Sequence, residues 1–382
     1  MVVFGTRPEA IKMAPVVHAL QSRPAIETRV CVTGQHRDLL DQVLRVTGVI
    51  PDIDLDLMRP NQTLDELTAR LILALGDALD RERPDRVLVH GDTQSAMVAS
   101  LAAHYRRIPV GHVEAGLRSG DIYQPWPEEA NRRIVACIAD MNFAPTQTAA
   151  TALRAEGRAE DTIHVTGNTV VDALLAMRTR IRKRPMLAAS AAPTLARFAR
   201  QRIIAVTCHR RESVGAGMTR IAGAIREIAV RPDVGIVFPL HPNPRVRLAM
   251  TAALADLPNV ALIEPLDYPG FVALLDACAL VLTDSGGVQE EAPSFGKPVL
   301  VLRETTERPE GIAAGTARLV GTDRQRIVGE TSMLLDNPEI YAAMARAGNP
   351  FGDGRAADRI ARIIAGEDAP VPLSTLEDAA LA

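Results

Sequence analysis

Three carboxylates in the first half of the chain sit where proton-transfer chemistry could use them. Asp92 follows the apolar run RVLVH in "GDTQS", Glu114 follows VGHV in "EAGLRSGD", and Glu128 comes after two prolines in "PWPEEANRR". Acid–base sites are built from carboxylates whose surroundings push their proton affinities apart. Three of them on consecutive loops offer such a set. Two of them also have a plainer reading, Asp92 as a helix cap flanked by Thr93 and Ser95, and Glu128 as a charge that favours a helix N-terminus.

Signals for an anionic ligand recur at other apolar-to-polar junctions. In "GTRPEAIK" Gly5 permits a tight turn, Pro8 suits a first helical turn, and the helix start would present N–H groups to an anion. Arg7 and Lys12 add positive charge there. In "CHRRES" His209, beside Arg210 and Arg211, brings a group that titrates near neutral pH to a second such junction. In "LTDSGGVQEEAP" the backbone of Ser285, Gly286 and Gly287 can approach a diphosphate closely. Glu291, one turn further on, can accept hydrogen bonds from ribose hydroxyls, as the acidic residue of dinucleotide sites does. Arg308 in "RETTERPEG" is a further phosphate candidate. His241 in "PLHPNP" is better read as satisfying its Pro-rich loop than as a site residue. The pattern asks for a nucleoside diphosphate joined to something else. There is no G-x-G-x-x-G and no Walker A loop, so neither NAD nor a P-loop nucleotide is indicated. No H-E-x-x-H or closely spaced His/Asp set argues for a metal, and "DIDLD" at 52–56 reads as an edge segment.

These junctions imply strands that place them. Short β-rich runs are predicted at 2–4, 29–33, 86–90, 110–113, 141–143 and 163–166, then at 203–207, 234–238, 260–263, 280–283, 298–302 and 317–320. Helix-period segments lie between them, which means parallel sheets covered on both faces. The first strand, Val2 to Phe4, is short, which fits either a clipped edge or a start upstream. Residues 178–200, with "RTRIRKRP" and an Ala/Pro-rich stretch, are read as a linker. A length of 382 residues suggests about two domains. A formal net charge of −3 and an aromatic fraction of 3% argue against nucleic acid as partner. The four cysteines are widely spaced, as in a reducing compartment, and no apolar run is long enough to span a bilayer. A cytoplasmic protein that binds no membrane is expected.

The stretches "FGTRPEAIKMAP", "HGDT", "GHVEAGLRSGD", "PWPEEANRR", "TGNTVVDAL", "HRRES", "DSGGVQEEAPSFGKPVLVLRETTERPE" and "AGTARLVGTD" together resemble the non-hydrolysing UDP-N-acetylglucosamine 2-epimerases. The resemblance runs in unbroken order from about residue 2 to 365. It implies an α/β, GT-B-like fold of two Rossmann-type doubly wound parallel-sheet domains around a central cleft. The division expected is 1–170, with a helix at about 355–366 packing back on it, then 171–350, and a loosely ordered tail over 367–382. The resemblance implies a homodimer that needs no cofactor and interconverts UDP-GlcNAc and UDP-ManNAc for surface polysaccharide. Asp92, Glu114 and Glu128 match the family's catalytic acids, with base and acid left unassigned, and His209 matches a substrate-binding histidine at the leaving diphosphate. Arg7, Lys12, Ser285, Gly286, Gly287, Glu291 and Arg308 match contacts to phosphates and ribose, and Phe271 a residue of the uracil pocket. Leu266 departs from a Gln common at that pocket. Gln35, Arg210 and His241 match parts of a regulatory UDP-GlcNAc site. Asp38 and Asn61 depart from its strongly regulated form, so weak allostery is expected. The rivals are a GT-B glycosyltransferase, a hydrolysing epimerase and a non-catalytic UDP-sugar sensor.

Overall fold

The computed structural model describes residues 1–34, 37–59, 61–208 and 216–367, without the side chains of 37 and 38. The chain divides into two compact units. One comprises Met1–Ala173 with the described residues from Phe351 onward, the other Leu174–Pro350.

The first unit is built on a seven-stranded sheet: β1 (Val2–Phe4), β2 (Val30–Val32), β3 (Ile53–Asp54), β4 (Val87–His90), β5 (Val110–Val113), β6 (Met141–Ala144) and β7 (Ile163–Val165). Its spatial order is β3-β2-β1-β4-β5-β6-β7, and every pairing is parallel. Such strands are buried on both faces, which is why VLVH and VGHV are almost continuously apolar. Sequence reading gives six strands here. The seventh, β3, is the edge segment "DIDLD", two residues long and partly exposed, so it carries little apolar signal.

One face of this sheet is covered by the helices Arg7–Gln21 and Arg37–Thr47, and by Ala356–Ile364 from the end of the chain. On the other face, Leu67, Leu71, Leu75 and Leu79 recur every four residues along Leu64–Glu82 and join the core with Gln94–Tyr105. Burying each such leucine contributes roughly 1.5–3 kcal/mol. The returning helix is held at its start by Asp172, whose carboxylate accepts from the N–H groups of Ala356 (3.2 Å) and Ala357 (2.8 Å). Arg359 then pairs with both oxygens of Asp353 and donates to the Thr166 carbonyl at 3.1 Å.

The second unit carries β8 (Arg202–Thr207), β9 (Val234–Pro239), β10 (Val260–Ile263), β11 (Leu280–Thr283), β12 (Val299–Val301) and β13 (Ala317–Leu319). They form a parallel sheet in the order β10-β9-β8-β11-β12-β13. Both units are therefore doubly wound, with strand order reversing between β1 and β4 and between β8 and β11. Ligands of open α/β sheets bind beyond the carboxyl ends of the strands at such reversals.

The linker reading of 178–200 is corrected. A helix runs unbroken over Thr169–Lys183, followed by helical turns at Pro185–Ala188 and Ala192–Arg197. Arg180, Arg182 and Lys183 end the long helix as cations suited to its C-terminal dipole. Among the described residues no helix is long and apolar enough to cross a membrane, and no His/Cys/Asp/Glu group is placed to hold a metal ion.

Candidate functional site

At the reversal in the first unit, two loops leave adjacent strands. After β1, Gly5 is packed so tightly that a Cβ there would lie 2.1 Å from Thr33 Oγ1 and 2.5 Å from Ser95 Oγ. Thr6 caps the helix that follows, and Glu9 closes a capping box with it. The Glu9 carboxylate is buried. It accepts from the N–H groups of Gly5 (3.0 Å) and Thr6 (2.8 Å) and from Thr93 Oγ1 (2.7 Å) on the β4 side. Two N–H groups that sequence reading offers to an external anion are thus taken by the protein's own carboxylate. Arg7 is half-buried at the start of that helix.

After β4 comes Gly91, whose φ of +62° is a left-handed conformation that glycine adopts without strain. Its carbonyl accepts from His112 Nε2 at 2.7 Å, and its N–H donates to the Val113 carbonyl at 2.9 Å. Asp92 follows directly. Its carboxylate is ion-paired with Arg132, and its carbonyl accepts from Asn131 Nδ2 at 3.0 Å. Both partners lie on the helix Glu128–Ile138. Thr93, next in sequence, caps Gln94–Tyr105, so the plain capping role belongs to Thr93 and leaves the Asp92 carboxylate to Arg132. Arg132 is oriented from behind by Glu129, whose fully buried carboxylate also holds Arg133 and the Ser119 N–H. Glu128 is half-buried at the head of the same helix and has no hydrogen bond or ion pair among the described residues.

Glu114 leaves β5 with φ +63°, a left-handed backbone that costs a non-glycine residue on the order of 1–2 kcal/mol. Strain of this kind concentrates at functional sites. Its carboxylate is ion-paired with Lys12, accepts from Asn168 Nδ2 at 3.0 Å, and lies 3.6 Å from His90 Nε2. Burial pushes this carboxyl up, but Lys12 and His90 outweigh burial and hold it well below the usual carboxylate range. Glu114 is therefore an ionised, desolvated carboxylate at neutral pH.

Burial pushes the His112 imidazole down to about 3, against the pull of the Gly91 carbonyl. Between that value and the ordinary 6.5, the folded protein keeps His112 neutral while the unfolded chain protonates it. Stability is thus complete above pH 6.5 and falls as pH drops, by about 1.4 kcal/mol per unit. His112→Gln keeps an amide donor for Gly91 and should remove one proton's worth of this slope. Urea unfolding at a series of pH values would show it, and parallel slopes for the two proteins would refute it.

In the second unit, β11 ends in Thr283, whose Oγ1 accepts from the Ser285 N–H at 3.0 Å. Gly286 and Gly287 open a short helix, Gly286–Glu291, and the Arg308 guanidinium lies beside Gly286, 3.8 Å from where a Cβ would stand. Glu290 is buried and ion-paired with Arg308, while its carbonyl accepts from Asn349 Nδ2 at 3.0 Å. Of the two acids after the glycines, Glu290 is therefore the internal counter-charge of Arg308, and Glu291 is half-buried. Phe271, half-buried, lies on the helix Tyr268–Ala277. His241 is exposed, and its Nδ1 accepts from the Asn243 N–H at 3.2 Å. Gln35, His209 and Arg210 lie outside the described residues. Sequence reading did not single out Glu9, His90, Glu129, Arg132 or Asn168; of these only Glu9 carried a local signal, the T-x-x-E capping box.

The family model for UDP-N-acetylglucosamine 2-epimerase matches residues 18–365. The chain belongs to that family. It is 52% identical to the UDP-N-acetylglucosamine 2-epimerase of Escherichia coli K12 over 362 residues, covering 94% of this chain and 96% of that one. Among solved structures it resembles the UDP-GlcNAc 2-epimerase of Neisseria meningitidis bound to UDP-GlcNAc, at 46% identity and a TM-score of 0.87, covering 96% and 99% of the two chains. The enzyme of Methanocaldococcus jannaschii, in complex with UDP-GlcNAc and UDP, matches at 33% identity and a TM-score of 0.78, covering 96% and 99%. The two parallel-sheet α/β domains are thus GT-B-like, as in these epimerases. In this member of the family, the ionised Glu114 and the Arg132-held Asp92 stand at the ends of neighbouring strands.

Proposed function

We propose that this protein is a non-hydrolysing UDP-N-acetylglucosamine 2-epimerase, a cofactor-independent isomerase that supplies an N-acetylmannosamine donor for surface polysaccharide. The observation that carries the reading is the largely buried, ionised Glu114 one strand away from Asp92, in a chain of this family. A carboxylate removes the C2 proton. The C–H electrons form the C1–C2 double bond as the C1–O bond to the diphosphate breaks, giving UDP and 2-acetamidoglucal. Re-addition delivers a proton to the opposite face of C2 while a diphosphate oxygen bonds C1 again. The C2 proton is weakly acidic, so stabilisation of the departing diphosphate must supply much of the barrier lowering. Arg7, Arg308, His209 and the backbone of Ser285 to Gly287 are the groups assigned to it, Glu291 holds ribose and Phe271 flanks the base. Asp92, Glu114 and Glu128 divide the proton transfers. Gln35, Arg210 and His241 contribute to a second, weakly coupled UDP-GlcNAc site.

Proton NMR of the protein with UDP-GlcNAc in D2O, without added metal or NAD, tests this. The expected result is UDP-ManNAc with deuterium at C2, in a stable mixture with UDP-GlcNAc. Free N-acetylmannosamine with UDP would mean the hydrolysing reaction, and an unchanged sugar would refute epimerisation.

A further inference from the structure

The three groups around Glu114 converge on a single oxygen. Lys12 Nζ, Asn168 Nδ2 and His90 Nε2 are all directed to Oε2, whereas among the described residues none bonds Oε1. Oε1 lies toward Gly91, 4.0 Å from where a Cβ would stand, so the missing side chain leaves that approach open. The donors are themselves fixed. Asn168 donates its N–H to the Phe351 carbonyl at 2.6 Å, and its Oδ1 accepts from the Val170 N–H at 3.0 Å. His90 is buried at the end of β4, and among the described residues its Nε2 has no hydrogen-bond partner. At 3.6 Å it stands just beyond hydrogen-bond distance of Oε2, a gap of the kind that closes when a substrate is bound.

We propose that His90 and Asn168, together with Lys12, are positioning residues that pin Oε2 of Glu114, so that the proton at C2 is exchanged through Oε1. This rests on the C2-epimerisation reading. A carboxylate free to rotate presents either oxygen and loses alignment, whereas one oxygen saturated with donors fixes the plane and direction of the other. The arrangement also makes Glu114 a weaker base than a solvated carboxylate. Removing a donor therefore has two effects of opposite sense: the carboxylate becomes more basic and less aligned.

The titratable groups that face Glu114 are Lys12 from the helix Arg7–Gln21 and His90 from β4. Asn168, uncharged, comes from the loop before Thr169–Lys183. His112, on its own strand, is turned to the Gly91 carbonyl, and Asp92 is taken by Arg132.

The test is the pH profile of kcat/KM for the wild type, His90→Leu, His90→Gln and Asn168→Leu. In His90→Leu the acidic limb is expected to move up by about one pH unit. Its kcat should fall about tenfold with KM within about twofold. His90→Gln restores a donor and should return both limb and kcat toward wild type. Asn168→Leu should shift the limb in the same direction, which keeps the test in force if either leucine variant fails to fold. An unmoved limb in every folded leucine variant, or a raised KM at unchanged kcat, would overturn the pinning. Wild-type protein that leaves C2 unexchanged in D2O would overturn the epimerisation reading first, and this inference with it.

Discussion

Glu114→Gln should lower kcat by about 10²–10⁴, the usual contribution of a positioned general acid or base. The substitution keeps the size and polarity of the side chain and removes only its charge and proton affinity. The left-handed backbone of residue 114 is unchanged, and Asn168 can still donate to the amide oxygen. Lys12 loses its counter-ion, so a stability loss of about 1–3 kcal/mol accompanies the change. The two effects separate cleanly, because circular dichroism reports the fold while turnover of UDP-GlcNAc reports the chemistry. A folded variant that retains more than about a tenth of wild-type kcat would remove Glu114 from the proton transfers.

The largest stability effect is expected at Glu129. Its side chain is fully buried and holds Arg132 at 3.3 Å, Arg133 at 2.9 Å and the Ser119 N–H at 3.1 Å. Arg132 is itself largely buried, so Glu129→Ala leaves a guanidinium poorly compensated and should cost about 3–5 kcal/mol. Arg133 is more exposed, and Arg133→Ala should cost no more than about 1 kcal/mol. Urea unfolding of the two variants makes the comparison. Equal losses would mean that Glu129 serves only the surface pair. Turnover of the Glu129 variant should fall as well, because the grip of Arg132 on Asp92 depends on it.

Much of the scaffold was readable from the residues, because strands buried on both faces are apolar runs and each ends at a turn. The misses have physical causes. "DIDLD" does lie at the sheet edge, as read, but its strand β3 is two residues long and partly exposed, so it has no such run and is not recognised as a strand. Residues 178–200 have the composition of a linker, yet Arg and Lys are good helix formers, and the Ala/Pro stretch folds as short helical turns. In the site, residues at strand ends could be nominated from local pattern alone. Their partners could not. By local pattern Lys12 is a positive charge awaiting an anion, while the fold sets it against Glu114, 102 residues away. Asn168 reaches the same carboxylate from 54 residues away, and Thr93 reaches Glu9 from 84. Which charge a side chain meets is decided by packing, and local sequence holds no record of it.

The helix that returns from the end of the chain to Asp172 sets an order of assembly. During synthesis the seven strands of the first sheet have left the ribosome by Val165, but one of its faces still lacks Ala357, Ile360 and Ala361. All of Leu174–Pro350 is made in between. The unit begun first is therefore finished last, after the whole of the other has emerged. Until then the nascent chain carries an unsealed apolar face on its first sheet.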